Sequence, residues 1–151
     1  MTDVMINKEV EVFFTGKPET RALFRAVERK IRAIGPAIIT VTKTQISFAT
    51  RTQFAWIWMP QPTDRKRPLH SLVLSFGCGR QIVHDQIVEA VEPYPGRWTH
   101  HVIIAEEADL TDVLDTWLQE AYRFSETGGD SNLQRYRQLN SNRCGSVLST
   151  K

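Results

Sequence analysis

The sequence contains few of the residues from which metal and redox sites are usually recognised. It has only two cysteines among 151 residues, and Cys78 and Cys144 lack both the spacing of a zinc site and the number needed for a disulfide framework. No apolar run approaches the ~20 residues of a membrane span, and the first residues lack the apolar stretch of a signal peptide. These absences predict a soluble, cytoplasmic protein that uses no metal and no other cofactor.

The sequence motifs of common enzyme classes are missing as well. Gly16-Lys17 lacks the preceding glycine of a P-loop, and Gly77-Cys78-Gly79 is too short for a dinucleotide-binding fingerprint. No G-x-S-x-G nucleophile elbow occurs in the chain. The sequence therefore leaves open whether the protein is an enzyme, and it favours a role without catalysis.

The composition indicates one ordinary globular domain. Hydrophobic residues make up 41% of the chain and charged residues 24%, and the formal net charge of +2 is too small to indicate a nucleic-acid partner by itself. Apolar residues become rare toward the C-terminus. We predict a single domain over residues 1–126, followed by a polar, mobile tail over residues 127–151.

Two segments have the apolar spacing of amphipathic helices. The first covers residues 18–34, begins at Pro18 and ends before Gly35, which we expect to adopt a left-handed cap conformation. The second covers residues 110–124, and Asp109 is its expected N-cap. Both helices carry a single apolar stripe, so each is expected to pack against a sheet.

Between the two helices the apolar period changes to two, which is typical of strands. The short segments are separated by turns rather than by helices, which implies antiparallel pairing. Residues 82–91 fit either a short helical turn or an edge strand. The expected fold is α+β, in the order helix–strands–helix, with an antiparallel sheet of four to five strands and two main helices packed on one face.

Side-chain alternation predicts an aromatic row on the sheet face that points away from the helices. If Ile46 and Phe48 face the helices, then Phe54, Trp56 and Trp58 point outward. Such a row, flanked by polar groups, would form a platform for a small molecule or a partner protein, whereas the alternative is that the tryptophans are ordinary core residues. The candidate ligand-binding residues on this face are Lys43, Gln45, Trp56, Trp58 and His101.

The adjacent histidines His100 and His101 are a tempting metal pair, but strand geometry argues against it. Consecutive residues of a strand point to opposite faces, so the two imidazoles cannot bind the same ion from a regular strand. We expect one of them to be a hydrogen-bonded core residue and the other to point outward. A further alternative is an enzyme in which Lys43 and His101 act as acid–base groups at a common pocket.

A nucleic-acid-associated role is the other alternative. Arginines recur at helical spacing along residues 18–34, and a basic loop follows in the middle of the chain. Carboxylates interrupt this pattern, and a charged helix face is usually only solvated. The residues that would contact phosphate are Arg21, Arg25, Arg29, Arg32, Arg65, Lys66 and Arg67.

Five segments, in order, resemble domain-of-unknown-function family 5655, a bacterial and archaeal domain. They are residues 13–18 (Phe-Phe-Thr-Gly-Lys-Pro), 43–48 (Lys-Thr-Gln-Ile-Ser-Phe), 54–55 (Phe-Ala), 97–101 (Arg-Trp-Thr-His-His) and 117–122 (Trp-Leu-Gln-Glu-Ala-Tyr). The resemblance implies a small α+β fold and carries no established activity. It draws attention to Lys43, His100 and His101, which match the family's Lys-Thr and His-His positions. The segment His84-Asp85-Gln86 departs from the family's Ser-Pro-Arg pattern.

Overall fold

The structure, a computed structural model, describes residues 2–59 and 70–127. A short 3₁₀ turn, Glu107–Asp109, precedes the last helix. The helices are α1 (Thr2–Phe13), α2 (Pro18–Ile34) and α3 (Asp112–Glu126), and the strands are β1 (Ile38–Val41), β2 (Ile46–Ala49), β3 (Gln53–Trp58), β4 (Leu72–Cys78), β5 (Ile87–Tyr94) and β6 (Arg97–Ile104).

The six strands form one antiparallel sheet in the order β1-β2-β3-β4-β6-β5. The predicted α+β class, antiparallel pairing and helix–strands–helix order are confirmed, and the sheet has one strand more than the upper end of the predicted range. The additional strand is β5, which begins in the segment that the sequence left undecided and continues beyond it to Tyr94. It lies at an edge of the sheet, where Pro93 is tolerated because its missing N–H can fall on the unpaired side of the strand.

The helices pack on one face of the sheet, as predicted for the two main ones. The ring of Phe14, next to α1, lies 5.4 Å from Phe24 of α2, and Phe24 stacks on Phe48 of β2 at 6.1 Å. On α3, Trp117 stacks on Phe76 of β4 at 5.9 Å. The sheet face opposite these contacts carries none of the described helices, and we call it the outer face.

Helix α1 was not predicted. Its segment Glu9-Val10-Glu11-Val12 alternates polar and apolar residues, a pattern that suggests a strand. The helical signal is weaker: Val10 and Phe14, four residues apart, are both buried in the core. Helix α2, in contrast, has the predicted bounds, with Pro18 in its first turn.

Two predicted helix caps were wrong. Gly35 has φ 165° and ψ −175°, which is extended rather than left-handed backbone. At the start of α3 the N-cap is Thr111, whose hydroxyl accepts a hydrogen bond from the Leu114 N–H. Asp109 instead closes the 3₁₀ turn, because its carboxylate accepts from the backbone N–H groups of Ala105 and Glu106. A polar residue before an apolar run identifies a cap only to within a few positions.

A β-bulge corrects the predicted aromatic row. Phe48 pairs with Ala55 and Ala49 pairs with Gln53, so Phe54 is an extra residue on β3. Phe54 is 1% exposed, and its ring packs edge-on against Tyr122 of α3 at 5.2 Å. The prediction that Phe54 points to the outer face was therefore wrong.

Some predictions fall on parts of the chain that the structure does not describe. These are the basic loop Arg65-Lys66-Arg67 and all but the first residue of the predicted tail at 127–151. Among the residues that are described, no helix has the length and apolar character to cross a membrane.

Candidate functional site

The outer face of the sheet contains a cleft lined by two tryptophans. Register places Trp56 beside Ser47 on one side and Ser75 on the other, so these side chains share this face. We call the space next to them the outer cleft; it has a volume of about 390 Å³. Its lining residues are Thr44, Gln45, Trp56, Trp58, Met59 and His101.

Four of the five predicted ligand-binding residues therefore line one cleft: Gln45, Trp56, Trp58 and His101. Both tryptophans and His101 are half-buried, so each combines a fixed position with an accessible surface. Thr44 and Met59 complete the lining and were not predicted. Thr44 lies in the β1–β2 turn and Met59 directly after β3, where strand alternation assigns no face.

The floor of the outer cleft is held by a buried serine. Ser75, which is fully buried on β4, accepts a hydrogen bond from the Trp58 indole Nε1–H at 3.0 Å. Its Oγ also lies 2.6 Å from Nδ1 of His101. The imidazole in turn contacts the edge of the Trp58 ring system, with centroids 6.0 Å apart and an interplanar angle of 87°. Indole and imidazole are thus oriented by the same hydroxyl.

The serine hydroxyl can serve both rings at once. An indole N–H can only donate, so the Ser75 oxygen accepts from Trp58. A hydroxyl has one proton and two acceptor sites, so the same Oγ can also hydrogen-bond Nδ1 of His101 in either tautomer of the imidazole. The sequence did not indicate Ser75, because a single serine in an apolar strand forms no recognisable pattern. Its pairing with Trp56 on β3 and with His101 on β6 would have indicated it.

Lys43 does not line the outer cleft. It lies in the β1–β2 turn and lines a different cleft, between that turn and α1, together with Val12 and Phe13. Because α1 belongs to the helix side of the sheet, Lys43 and His101 line different clefts. The acid–base pair that the sequence allowed needs both side chains at one pocket, and this arrangement does not provide it.

His100 has the opposite environment from its neighbour. It is fully buried on the helix side, stacked on Phe76 with centroids 4.9 Å apart, and its Nε2 accepts a hydrogen bond from the Ile82 N–H at 2.9 Å. Burial lowers the pKa of His100 below its ordinary value of 6.5, although the Phe76 backbone opposes this effect. The separate environments of His100 and His101 are those predicted from strand alternation.

The lowered pKa makes the stability of the fold dependent on pH. Below pH ~6.5 the unfolded chain binds a proton at residue 100 that the folded state does not bind. The contribution of neutral His100 to the free energy of unfolding is thus complete above pH ~6.5. It is lost as the pH falls toward the pKa that His100 has in the folded state. We expect the free energy of unfolding, measured with urea, to decrease more from about pH 7.5 to about pH 5 in the wild type than in His100→Gln. Equal decreases would show that residue 100 is not the titrating group.

Cys78 does not have the environment of a reactive thiol. It is buried, its Sγ donates to the Arg80 carbonyl oxygen at 3.2 Å, and burial raises its pKa to about 11. Arg80 itself forms a bidentate ion pair with Glu120 of α3, with both N···O distances 2.9 Å. Across the described residues, no group of three or more His, Cys, Asp or Glu side chains is placed to hold a metal ion.

The arginines that are spaced along α2 are largely paired with carboxylates. Arg21 and Arg25 both bind Glu11, at 2.5 and 3.2 Å. Glu28 binds Arg25 at 3.0 Å and Arg32 at 3.2 Å, and its side chain is only 11% exposed. Arg29 reaches Glu107 at 3.7 Å. These ion pairs connect α2 to α1 and to the 3₁₀ turn, so the four arginines already have an intramolecular role that offsets their charge.

Fold and cleft together define a small α+β domain with one antiparallel sheet, helices on one face and an aromatic cleft on the other. The chain belongs to the family described as Domain of unknown function (DUF5655), whose model matches residues 10–125. The resemblance noted in the sequence is thereby confirmed. No curated protein and no solved structure gives a significant match to the chain.

Proposed function

We propose that this domain is a non-catalytic binding module whose outer cleft takes a small molecule with a flat apolar part. The observation that carries the proposal is the shared hydrogen bonding of Trp58 and His101 to the buried Ser75 hydroxyl. Because this hydroxyl holds both ring systems in position, they form a fixed surface at the floor of the cleft. Binding a ligand there therefore requires little further ordering of side chains, which lowers the entropic cost of binding.

The chemistry of the lining favours a planar ligand with polar substituents. Trp56, Trp58 and Met59 provide an apolar, polarisable surface on which a ring can stack. Thr44, Gln45 and His101 add hydrogen-bonding groups. The volume of about 390 Å³ falls within the range of small-molecule sites, ~300–1,000 Å³.

A partner protein is the competing occupant, and the small size of the cleft favours the small molecule. A stable protein–protein interface needs roughly 1,000 Å² or more of buried surface, which a cleft of this size does not supply by itself. The nucleic-acid alternative has less support, because the α2 arginines are paired with Glu11, Glu28 and Glu107.

The test is a thermal-shift screen with planar aromatic amides, aromatic acids and nucleobases, each beside a saturated-ring counterpart. A ligand at 100 times its Kd stabilises the fold by about 2.7 kcal/mol, which gives a clear increase in Tm. We expect aromatic compounds to raise Tm more than their saturated counterparts. Replacing Trp56 with alanine should weaken binding of the best compound at least about fivefold, because one stacked ring contributes ~1–3 kcal/mol.

Trp98→Ala is the matched control for Trp56→Ala. Trp98 is also half-buried, but it pairs with Cys78 and therefore lies on the other side of the sheet. Its replacement should leave the affinity unchanged. Three results would contradict the proposal: no compound raises Tm, both tryptophan variants weaken binding equally, or Trp56→Ala fails to fold, which would make Trp56 an ordinary core residue.

A further inference from the structure

A second cleft lies between α1 and the β1–β2 turn, on the other side of the sheet from the outer cleft. We call it the α1 cleft. It has a volume of about 660 Å³, and its lining combines an apolar floor with charged residues. Val12 is 72% exposed there and adds apolar surface to the cleft. The lining residues are Lys8, Glu9, Val12, Phe13, Val41, Thr42 and Lys43.

The two lysines of the α1 cleft differ from most cations of the helix layer. Arg21, Arg25 and Lys30 each have a carboxylate partner within 4.0 Å. Lys8 and Lys43 have none among the residues that the structure describes, and both are exposed. One carboxylate, Glu9, also lines the cleft, so the charge of the lining is positive by one unit, from two lysines and one glutamate.

An apolar floor beneath two cations has a defined chemical complement. A ligand with an apolar chain or ring and a single carboxylate can cover Val12, Phe13 and Val41 and still place its charge near the lysine ammonium groups. A neutral apolar ligand contacts only the apolar floor, and a polar anion interacts only with the lysines. The cleft therefore selects for the combination of both groups in one molecule.

We propose that the α1 cleft is a second binding site of this domain and that it takes amphipathic carboxylates. The proposal is independent of the outer cleft, since the two sites share no lining residue. It also gives Lys43 a role that the outer cleft does not provide. Lys43 contacts the ligand carboxylate, and Val12 contacts its apolar part.

The experiment uses octanoate as the probe and octanol as the uncharged molecule with the same chain. Titrations followed by amide NMR of the full chain should show saturable shifts at residues 8–13 and 41–43 with octanoate. Octanol should bind at least about fivefold more weakly, because it lacks the ion pairs with the two lysines. Indole signals of Trp56 and Trp58 should not move with octanoate.

Single-charge variants then separate the lysines of the cleft from general surface charge. Lys43→Gln should weaken octanoate binding about threefold to fivefold, and Glu9→Gln should strengthen it by a similar factor. Lys17→Gln is the control, since Lys17 is exposed beyond the end of α1 and does not line the cleft. All these side chains lie on the surface, so the variants are expected to fold, as circular dichroism will verify.

Several outcomes would overturn the proposal. Equal affinities for octanoate and octanol, an equal effect of Lys17→Gln and Lys43→Gln, shifts located elsewhere, or no saturable shift would each do so. A dimer in sedimentation that Val12→Asp dissociates would instead assign the cleft to a second copy of the chain. If the proposal for the α1 cleft is contradicted, the proposal for the outer cleft is unaffected, because the tryptophan variants test the outer cleft separately.

Discussion

Replacing Phe24 with alanine is expected to lower the free energy of unfolding by about 3–5 kcal/mol. Phe24 is fully buried, and its ring lies between those of Phe14 and Phe48, at 5.4 and 6.1 Å. It thus connects α1, α2 and the sheet through a single side chain. A domain of this size is stabilised by only about 5–15 kcal/mol in total, so the variant should be close to unfolding.

Urea denaturation measures this loss, and two further variants calibrate it. Phe24→Leu retains much of the buried volume and should lose clearly less stability than Phe24→Ala. Val12→Ala should change stability by no more than about 0.5 kcal/mol, because Val12 is 72% exposed. If Phe24→Ala costs less than about 1 kcal/mol, the aromatic contact between the helices and the sheet does not have the role given to it.

Replacing Gly35 with alanine is expected to cost about 1–3 kcal/mol, for a steric reason. A Cβ atom at this position would lie 2.5 Å from the Tyr122 hydroxyl oxygen and 3.0 Å from its Cζ. Tyr122 cannot easily move away, since its hydroxyl donates to the Pro36 carbonyl oxygen at 2.7 Å and its ring packs on Phe54. The backbone of Gly35 is extended and would by itself accept any residue.

A double-mutant cycle with Tyr122→Phe identifies the cause. Tyr122→Phe alone should cost about 1 kcal/mol, from the lost hydrogen bond to Pro36. Because the hydroxyl is the closest atom to the added methyl group, Gly35→Ala should be less costly in the Tyr122→Phe background. We expect a coupling energy of about 1 kcal/mol. Additive effects would mean that the cost does not arise from contact with the Tyr122 hydroxyl.

The sequence was sufficient for those parts of the fold that depend on regular spacing. The bounds of α2 follow from its apolar stripe between Pro18 and Gly35. The alternation of β2, β3 and β6 placed Trp56, Trp58 and His101 on one face and His100 on the other. Wherever a strand or helix is regular, the direction of each side chain can be counted from its neighbours.

The parts that were missed lie where regular spacing fails or where residues are distant in sequence. The bulge at Phe54 adds one residue to β3 and turns that side chain toward α3. Lys43 lies in a turn, where alternation no longer assigns a face. Ser75 gains its role from a neighbouring strand, 26 residues away from His101 in sequence. Such features depend on tertiary pairing and are absent from local patterns.

The most direct test of the outer cleft is amide and indole NMR of the wild type with the compound that raises Tm most. The proposal predicts saturable shifts of the Trp56 and Trp58 indole N–H signals and of the backbone amides of Gln45 and His101. The same titration of Trp56→Ala should require at least about fivefold more compound to reach half-saturation. Shifts confined to the α1 cleft, or to the separate cleft between α2 and α3 that Ala26 and Gln119 line, would contradict a ligand site on the outer face.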